Sequence, residues 1–184
     1  AAKFLAEAGF PGGKGFPVLE ILTPPDRRAT AEAIQQLWAR NLNIAFTIHT
    51  EEYTSFLKRW DLVNYEVSSN RWIGDYLDPS TFTDLLESTS GNNNTGWKNK
   101  EYDHLLMQAR LEMDPTKRLE LLERGQEIML KEAPVVPIYI MAANELVKPY
   151  VRGIYPARWD VLPLNQVWID RDWKQHPSEA GREQ

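Results

Sequence analysis

The sequence predicts an α/β fold, because segments with the alternation of strands take turns with segments of helical periodicity. Apolar and polar side chains alternate over residues 17–23 and again over residues 44–50, which is typical of strands. Residues 28–40 and 52–60 instead repeat apolar side chains at helical spacing. This strand, helix, strand, helix order favours a mostly parallel or mixed sheet flanked by helices.

The first elements have recognisable boundaries. Residues 1–9 follow a helical pattern that ends at a glycine, and a glycine-rich turn comes next at residues 11–15. Asp26 is a residue type that caps helices, so we expect it to begin the helix over residues 28–40. Asn41 is then expected to end that helix, which places the helix between the first two strands.

The rest of the chain continues this alternation. A polar loop rich in Asn, Ser and Gly occupies residues 88–96. The predicted elements are a third strand, two helices, a buried strand and a last strand, over residues 65–69, 100–113, 116–131, 135–141 and 166–170. Because the end of the chain is polar and has no periodicity, we expect one domain over residues 1–170 and a frayed tail over residues 171–184.

Composition excludes several classes of function. Asp and Glu total 26 against 21 Lys and Arg, a net charge of -5, which argues against a nucleic-acid partner. The absence of cysteine excludes disulfides and thiolate metal sites. The three histidines are far apart in the sequence, so a histidine-led metal site is not expected. We also expect no cofactor. No apolar run is long enough to span a bilayer, and any export signal is expected upstream of Ala1.

The junction after the third strand carries the strongest candidate site. Residues 72–76 read Trp-Ile-Gly-Asp-Tyr, and ligands of α/β proteins collect outside the carboxyl ends of strands. Asp75 and Asp78 are also candidates for a pair of catalytic carboxylates, although Asp78 before a proline suits a helix cap. The glycines of residues 12–15 lack the preceding strand and the spacing of a phosphate loop.

The chain resembles the C-terminal lobe of the oligopeptide-binding proteins that serve bacterial ABC importers, the extracellular solute-binding proteins of family 5. The resemblance covers nearly the whole chain. Five motifs in the family's order carry it, at residues 10–13, 72–79, 91–96, 133–137 and 146–150. It implies one lobe of a type II periplasmic-binding-protein fold, with an N-terminal lobe that this chain lacks.

The resemblance implies capture of a peptide between two lobes and delivery to a membrane permease outside the cytoplasm, in the periplasm of bacteria that have one. The family's Asp at the position of Asp75 pairs with the peptide's α-ammonium. The strand end is expected to offer backbone hydrogen bonds through Ser69, Asn70, Arg71, Trp72 and Ile73. Trp72, Tyr53, Arg27 and Met141 match positions that line side-chain pockets in the family.

Three positions depart from the family's pattern. Family members specialised for oligopeptides often have Arg where this chain has Trp60 and Ser69, and Gly where it has Arg71. Peptide binding is therefore a firmer expectation than any peptide length. An oligosaccharide or other small solute on the same fold, delivery to a sensor, and a carboxylate-based hydrolase remain alternatives, but no nucleophile or metal motif supports the hydrolase.

Overall fold

The computed structural model describes residues 1–142, 146–154 and 164–174. These residues divide into two compact units. The first unit contains residues 1–72 and 79–135, and the second contains residues 73–78 together with the described residues from 136 onward.

A parallel three-stranded sheet forms the centre of the first unit. Its strands are β1 (Leu19–Thr23), β2 (Phe46–Thr50) and β3 (Val67–Ser68), in the order β2-β1-β3. Both neighbours run parallel to β1, with Leu19 opposite Phe46 and Ile21 opposite Val67. The three carboxyl ends therefore lie at the same edge of the sheet.

Helices connect these strands and cover them. The chain begins with α1 (Ala2–Glu7), and α2 (Arg28–Leu42) and α3 (Tyr53–Asp61) follow β1 and β2. The core of this region, the sheet cluster, contains buried apolar side chains of the strands, of α2 and of the connection between α2 and β2, namely Ile21, Ala31, Ile44 and Phe46. Trp38 packs on Phe46 with ring centroids 4.6 Å apart, so the apolar stripe of α2 lies against the sheet.

A helical region completes the first unit. It contains α4 (Ser80–Thr83), α5 (Lys100–Leu111) and α6 (Pro115–Glu132). The core of this region, the helical cluster, contains Leu86, Tyr102, Leu106, Ala109, Leu122 and Met129. Asn99 and Asp114 cap α5 and α6, since each side chain accepts hydrogen bonds from two backbone N–H groups of the first turn.

The polar loop at residues 88–96 is closed by one asparagine. The Asn93 amide donates to the carbonyls of Leu86, Glu87 and Trp97 at 3.2, 3.3 and 2.9 Å. Its Oδ1 accepts from the Thr95 hydroxyl at 2.7 Å. The loop therefore has a structural role, because Asn93 satisfies carbonyls that helical or strand bonds leave free.

The second unit contains a small antiparallel pair. Strands β4 (Val151–Arg152) and β5 (Trp168–Ile169) pair with each other. An ion pair between Arg152 and Asp170, 3.3 Å from Nη2 to Oδ2, supports them. The molecule thus combines parallel and antiparallel pairing with helices, which confirms the predicted α/β class.

The described structure corrects three details of the predicted elements. The strand expected over residues 135–141 is wrong, because this described segment contains no strand and its side chains are exposed. Asp26 does not cap α2; the helix follows Arg27, and the Asp26 carboxylate pairs with Arg27 at 3.3 Å. Asn41 does not end α2, which continues to Leu42 and ends at Asn43 in the left-handed conformation.

The other predicted strands and the long helices lie where the sequence predicts them, with boundaries shifted by a few residues. Strand β4 was not predicted. Residues 175–184 of the expected tail lie outside the described residues. No helix among the described residues is both long and apolar enough to span a bilayer.

Candidate functional site

The topology gathers most of the predicted site residues of the first unit at one edge of the sheet. Arg27 follows the end of β1, Tyr53 follows the end of β2, and residues 69–72 follow β3. We call this surface, formed by residues 23–27, 50–53 and 68–72, the carboxyl edge. It is where ligands bind in parallel α/β sheets.

The chain leaves the sheet directly after Ser69. The Ser69 N–H donates to the Leu22 carbonyl at 3.0 Å, which extends the pairing of β3 by one residue. The Asn70 side chain then accepts from the Arg71 N–H at 2.8 Å and turns the backbone locally. Strand pairing therefore ends at the point where the sequence predicts the ligand's backbone contacts.

Two polar atoms at the carboxyl edge are shielded from solvent and have no hydrogen-bond partner among the described residues. They are the indole Nε1 of Trp72 and the hydroxyl of Ser68. An indole N–H only donates, and leaving such a group shielded and unpaired costs about 1–3 kcal/mol. The geometry suits an arriving acceptor, such as a carbonyl of a bound molecule.

Sequence reasoning selected Trp72 but missed Ser68. Ser68 is a polar residue of β3, and it lies opposite the fully buried Leu22 of the central strand β1. That position could have marked its hydroxyl, since buried polar groups are normally hydrogen-bonded.

Arg27 is a fixed part of the carboxyl edge. Its side chain is only 9% exposed, in contrast to most arginines, and its Nε pairs with Asp26 at 3.3 Å. It ends the short 3₁₀ turn Pro25–Arg27 that joins β1 to α2. An arginine side chain this buried keeps its positive charge in a fixed position, and its methylene groups pack against their surroundings.

Tyr53 lies at the start of α3 and is 54% exposed. Its ring stacks on Phe56, with centroids 6.3 Å apart, and Phe56 is fully buried. The Glu52 carboxylate accepts from the Thr54 N–H at 2.9 Å and caps the helix. The exposed phenol is therefore carried on a helix start that packing and capping hold in place.

A charged network attaches α3 to the sheet. Arg59 donates to Glu51 at 2.9 Å and to Glu20 at 3.1 Å, which ties α3 to the residue after β2 and to β1. His49 also bonds Glu51, with Nε2 2.9 Å from Oε1. The hydrogen bond from Arg59 holds the pKa of Glu51 below its ordinary value. The network fixes the helix that carries Tyr53.

The other predicted site residues belong to the second unit. Ile73 is 38% exposed and Met141 is 48% exposed. Asp75 is also exposed, within the segment 73–78 that this unit contains. Among the described residues, no group of three or more His, Asp or Glu side chains is arranged to hold a metal ion.

Comparison with known proteins is consistent with this architecture. The family described as "Bacterial extracellular solute-binding proteins, family 5 Middle" matches residues 1–94. The dipeptide-binding protein DppE of Bacillus subtilis is 32% identical over 84% of this chain and 28% of its own length. The periplasmic oligopeptide-binding protein OppA of Salmonella typhimurium is 30% identical over 92% of this chain and 31% of its own length.

A solved structure extends the likeness to three dimensions. The Haemophilus influenzae OppA complex with RPPGFSPFR superposes with a TM-score of 0.82 at 27% identity, over 92% of this chain and 34% of that one. The chain therefore spans about a third of the length of these proteins and has the fold of one part of a type II periplasmic binding protein. It belongs to family 5 of the bacterial extracellular solute-binding proteins, a family of binding proteins and not of enzymes.

Proposed function

We propose that this chain is the C-terminal lobe of a two-lobed protein that captures peptides and delivers them to an ABC permease outside the cytoplasmic membrane. Residues 1–170 form that lobe, and residues 171–184 are its polar tail. The matched relatives are dipeptide- and oligopeptide-binding proteins, one of them in complex with a peptide. They favour a peptide over an oligosaccharide.

The shielded indole N–H of Trp72 is the observation that carries the proposal. It follows the end of β3, where the chain stops pairing with β1 after Ser69. A peptide in an extended conformation offers carbonyl acceptors at regular spacing, and such backbone bonds give affinity for many sequences. The strand end from Ser69 to Ile73 is proposed to bind that peptide backbone.

Asp75 is proposed to pair with the α-ammonium of the peptide. The ammonium is common to all free peptides, so a carboxylate that receives it recognises the class and ignores side-chain identity. Asp75 is exposed, so a ligand can reach this residue. This role distinguishes a peptide from a sugar, which has no ammonium.

The remaining predicted residues are proposed to form side-chain pockets. Tyr53 offers an exposed aromatic ring, and Met141 offers a half-exposed, flexible side chain. Both suit contact with peptide side chains of varied shape. Arg27 contributes charge from its buried position at the carboxyl edge. Arg71 is exposed and is proposed to supply the positive charge that family members place at the position of Ser69.

Calorimetry on the full-length parent protein tests the Asp75 contact. A peptide with a free N-terminus is titrated into the wild type and into Asp75→Asn, and the N-acetylated peptide is titrated into both. The wild type should bind the free peptide at least tenfold more tightly than the acetylated one, since a charge-assisted bond contributes about 1.5–3 kcal/mol. Asp75→Asn should abolish this preference.

Asp78→Asn is the matched control, because it removes the same charge three residues away. It should keep the preference for the free N-terminus. If Asp75→Asn keeps the full preference, the ammonium contact is wrong. If neither peptide binds the wild type while a sugar does, the peptide function is wrong.

A further inference from the structure

Helix α3 carries Tyr53 to the carboxyl edge, but it has little apolar anchorage. All residues of α3 from Tyr53 to Asp61 are described, and Phe56 is the buried one among them. The two buried clusters of the described residues contain side chains of α2, α5 and α6, and neither contains a residue of α3. Apolar packing therefore fixes the place of α3 less firmly than that of the other long helices.

A single guanidinium attaches both ends of this helix to the sheet. Arg59 donates from Nη1 to the Glu51 carboxylate, shortly before the helix, at 2.9 Å. Its Nε donates to the Asn64 carbonyl, shortly after the helix, at 3.1 Å. Its Nη2 donates to Glu20 of the central strand β1 at 3.1 Å. The planar fork of an arginine suits several fixed acceptors, and bonds between charged groups are the stronger kind.

The bonds of Arg59 join the parts of the chain that form the proposed peptide site. Glu51 follows β2 directly, and Asn64 lies three residues before β3. Residues 69–72, which follow β3, belong to the strand end proposed to bind the peptide backbone. The Tyr53 ring stacks on Phe56 within α3, so the ring moves with the helix. The position of α3 therefore determines where this ring lies relative to the end of β3.

We propose that Arg59 is a positioning residue for peptide selectivity: it holds α3 so that the Tyr53 ring accepts a particular side chain of a peptide bound along the end of β3. This inference rests on the proposed peptide function. Among the described residues, Arg59 makes no hydrogen bond or ion pair with Tyr53, so it acts through the helix. A binding site loses precision when the groups that support its contact residues are loose by about 1 Å.

Calorimetry on the full-length parent protein tests this role. An alanine peptide of the length that the parent binds best is compared with peptides that carry one phenylalanine at each position in turn. The wild type should bind one phenylalanine peptide about tenfold more tightly than the alanine peptide, because the Tyr53 ring offers an aromatic contact. Arg59→Met should reduce this preference by about fivefold. The preference is a ratio of two affinities in one protein, so a smaller folded fraction leaves it unchanged.

Arg110→Met is the matched control, because Arg110 also joins two carboxylates but lies in the helical region. Its Nη2 is 2.7 Å from Glu87 and 3.3 Å from Asp84. This variant should keep the full preference. Arg59→Lys retains the charge but loses the planar fork, so it should lose most of the preference. A full preference in Arg59→Met or in Arg59→Lys would overturn the proposal.

A double-variant cycle tests whether Arg59 acts through Tyr53. Tyr53→Ala should remove the preference, and adding Arg59→Met should then change it no further. A preference that survives Tyr53→Ala would overturn the proposal, as would an equal reduction by Arg59→Met with and without the Tyr53 ring. A parent that binds peptides with a preference unaffected by Arg59→Met refutes this inference alone. A parent that binds no peptide refutes the peptide function as well.

Discussion

The two buried clusters of the first unit are held together by contacts of different range. In the sheet cluster, Leu19 lies opposite Phe46 and Ile21 opposite Val67, so the partners are distant in sequence. In the helical cluster, all the buried members except Leu86 lie on α5 and α6, which are consecutive helices joined by a short turn. The sheet region positions the candidate site through remote contacts, and the helical region is built from local ones.

The two regions also differ in where their shielded, unpaired polar atoms lie. Shielded polar atoms without a partner among the described residues occur in both, at Ser68 and Trp72 in the sheet region and at Thr83 in the helical region. Those of the sheet region lie at the carboxyl edge, which is the proposed binding surface. The region proposed to contact the ligand is therefore the one whose buried contacts join distant parts of the chain.

The largest expected effect is in the sheet region, at Gly13. Gly13 has φ +78°, and a Cβ there would lie 2.5 Å from the carbonyl oxygen of Leu42 and even closer to that of Asn43. Gly13→Ala should lower the free energy of unfolding by about 2–4 kcal/mol, because backbone atoms must move and the conformation is strained. Urea denaturation measures the loss.

Gly12→Ala is the matched control for Gly13. Gly12 also has a positive φ, +62°, but a Cβ added there would meet no atom within 4 Å apart from those of its chain neighbours. The control variant should lose only the conformational part, about 1 kcal/mol. Equal losses for the two variants would show that the approach of the α2 end to Gly13 does not matter.

In the helical region, the next effect is expected at Tyr102. This side chain is fully buried, its hydroxyl donates to the Thr83 carbonyl at 2.6 Å, and burial raises its pKa. Tyr102→Phe should lower stability by about 1–2 kcal/mol, because it leaves a buried carbonyl with one partner fewer. Tyr53→Phe removes a hydroxyl from an exposed ring at the carboxyl edge and should change the Tm of the unliganded chain little. A larger loss for Tyr53→Phe would reverse the comparison.

A gain in stability is expected at Gly125, in the middle of α6. A Cβ there would lie 3.6 Å from the Tyr102 ring and 3.7 Å from Leu106, which is ordinary contact. Gly125→Ala should raise stability by about 0.5–1 kcal/mol, because alanine restricts the unfolded chain and favours the helix. The same substitution thus has opposite signs in the two regions, and thermal unfolding of both variants measures this contrast. A loss at Gly125 would show that the helical cluster is as tightly fitted as the turn at Gly13.

Much of the fold follows from local pattern, since β1, β2, α2 and α3 lie close to where alternation and helical spacing predict them. The failures have physical causes. Residues 135–141 are predicted as a buried strand from their composition, but pairing depends on a partner that local sequence does not specify. The partnerless indole N–H of Trp72 also depends on tertiary burial. The ligand roles of Asp75 and the other site residues stay predictions.

The smallest expected effect concerns pH and the network that attaches α3 to the sheet. The Arg59 hydrogen bond lowers the pKa of Glu51 from its ordinary value of 4.5, so folding favours the ionised carboxylate. Its contribution is present above pH 4.5 and is lost as the pH falls through the lowered value. Glu51→Gln should therefore lower the Tm at pH 7, and the difference from wild type should shrink below pH 4.5. Glu123→Gln, which changes an exposed carboxylate on α6, is the matched control and should change the Tm at pH 7 little. A difference for Glu51→Gln that is constant with pH would mean that the charge of Glu51 does not hold α3 against the sheet.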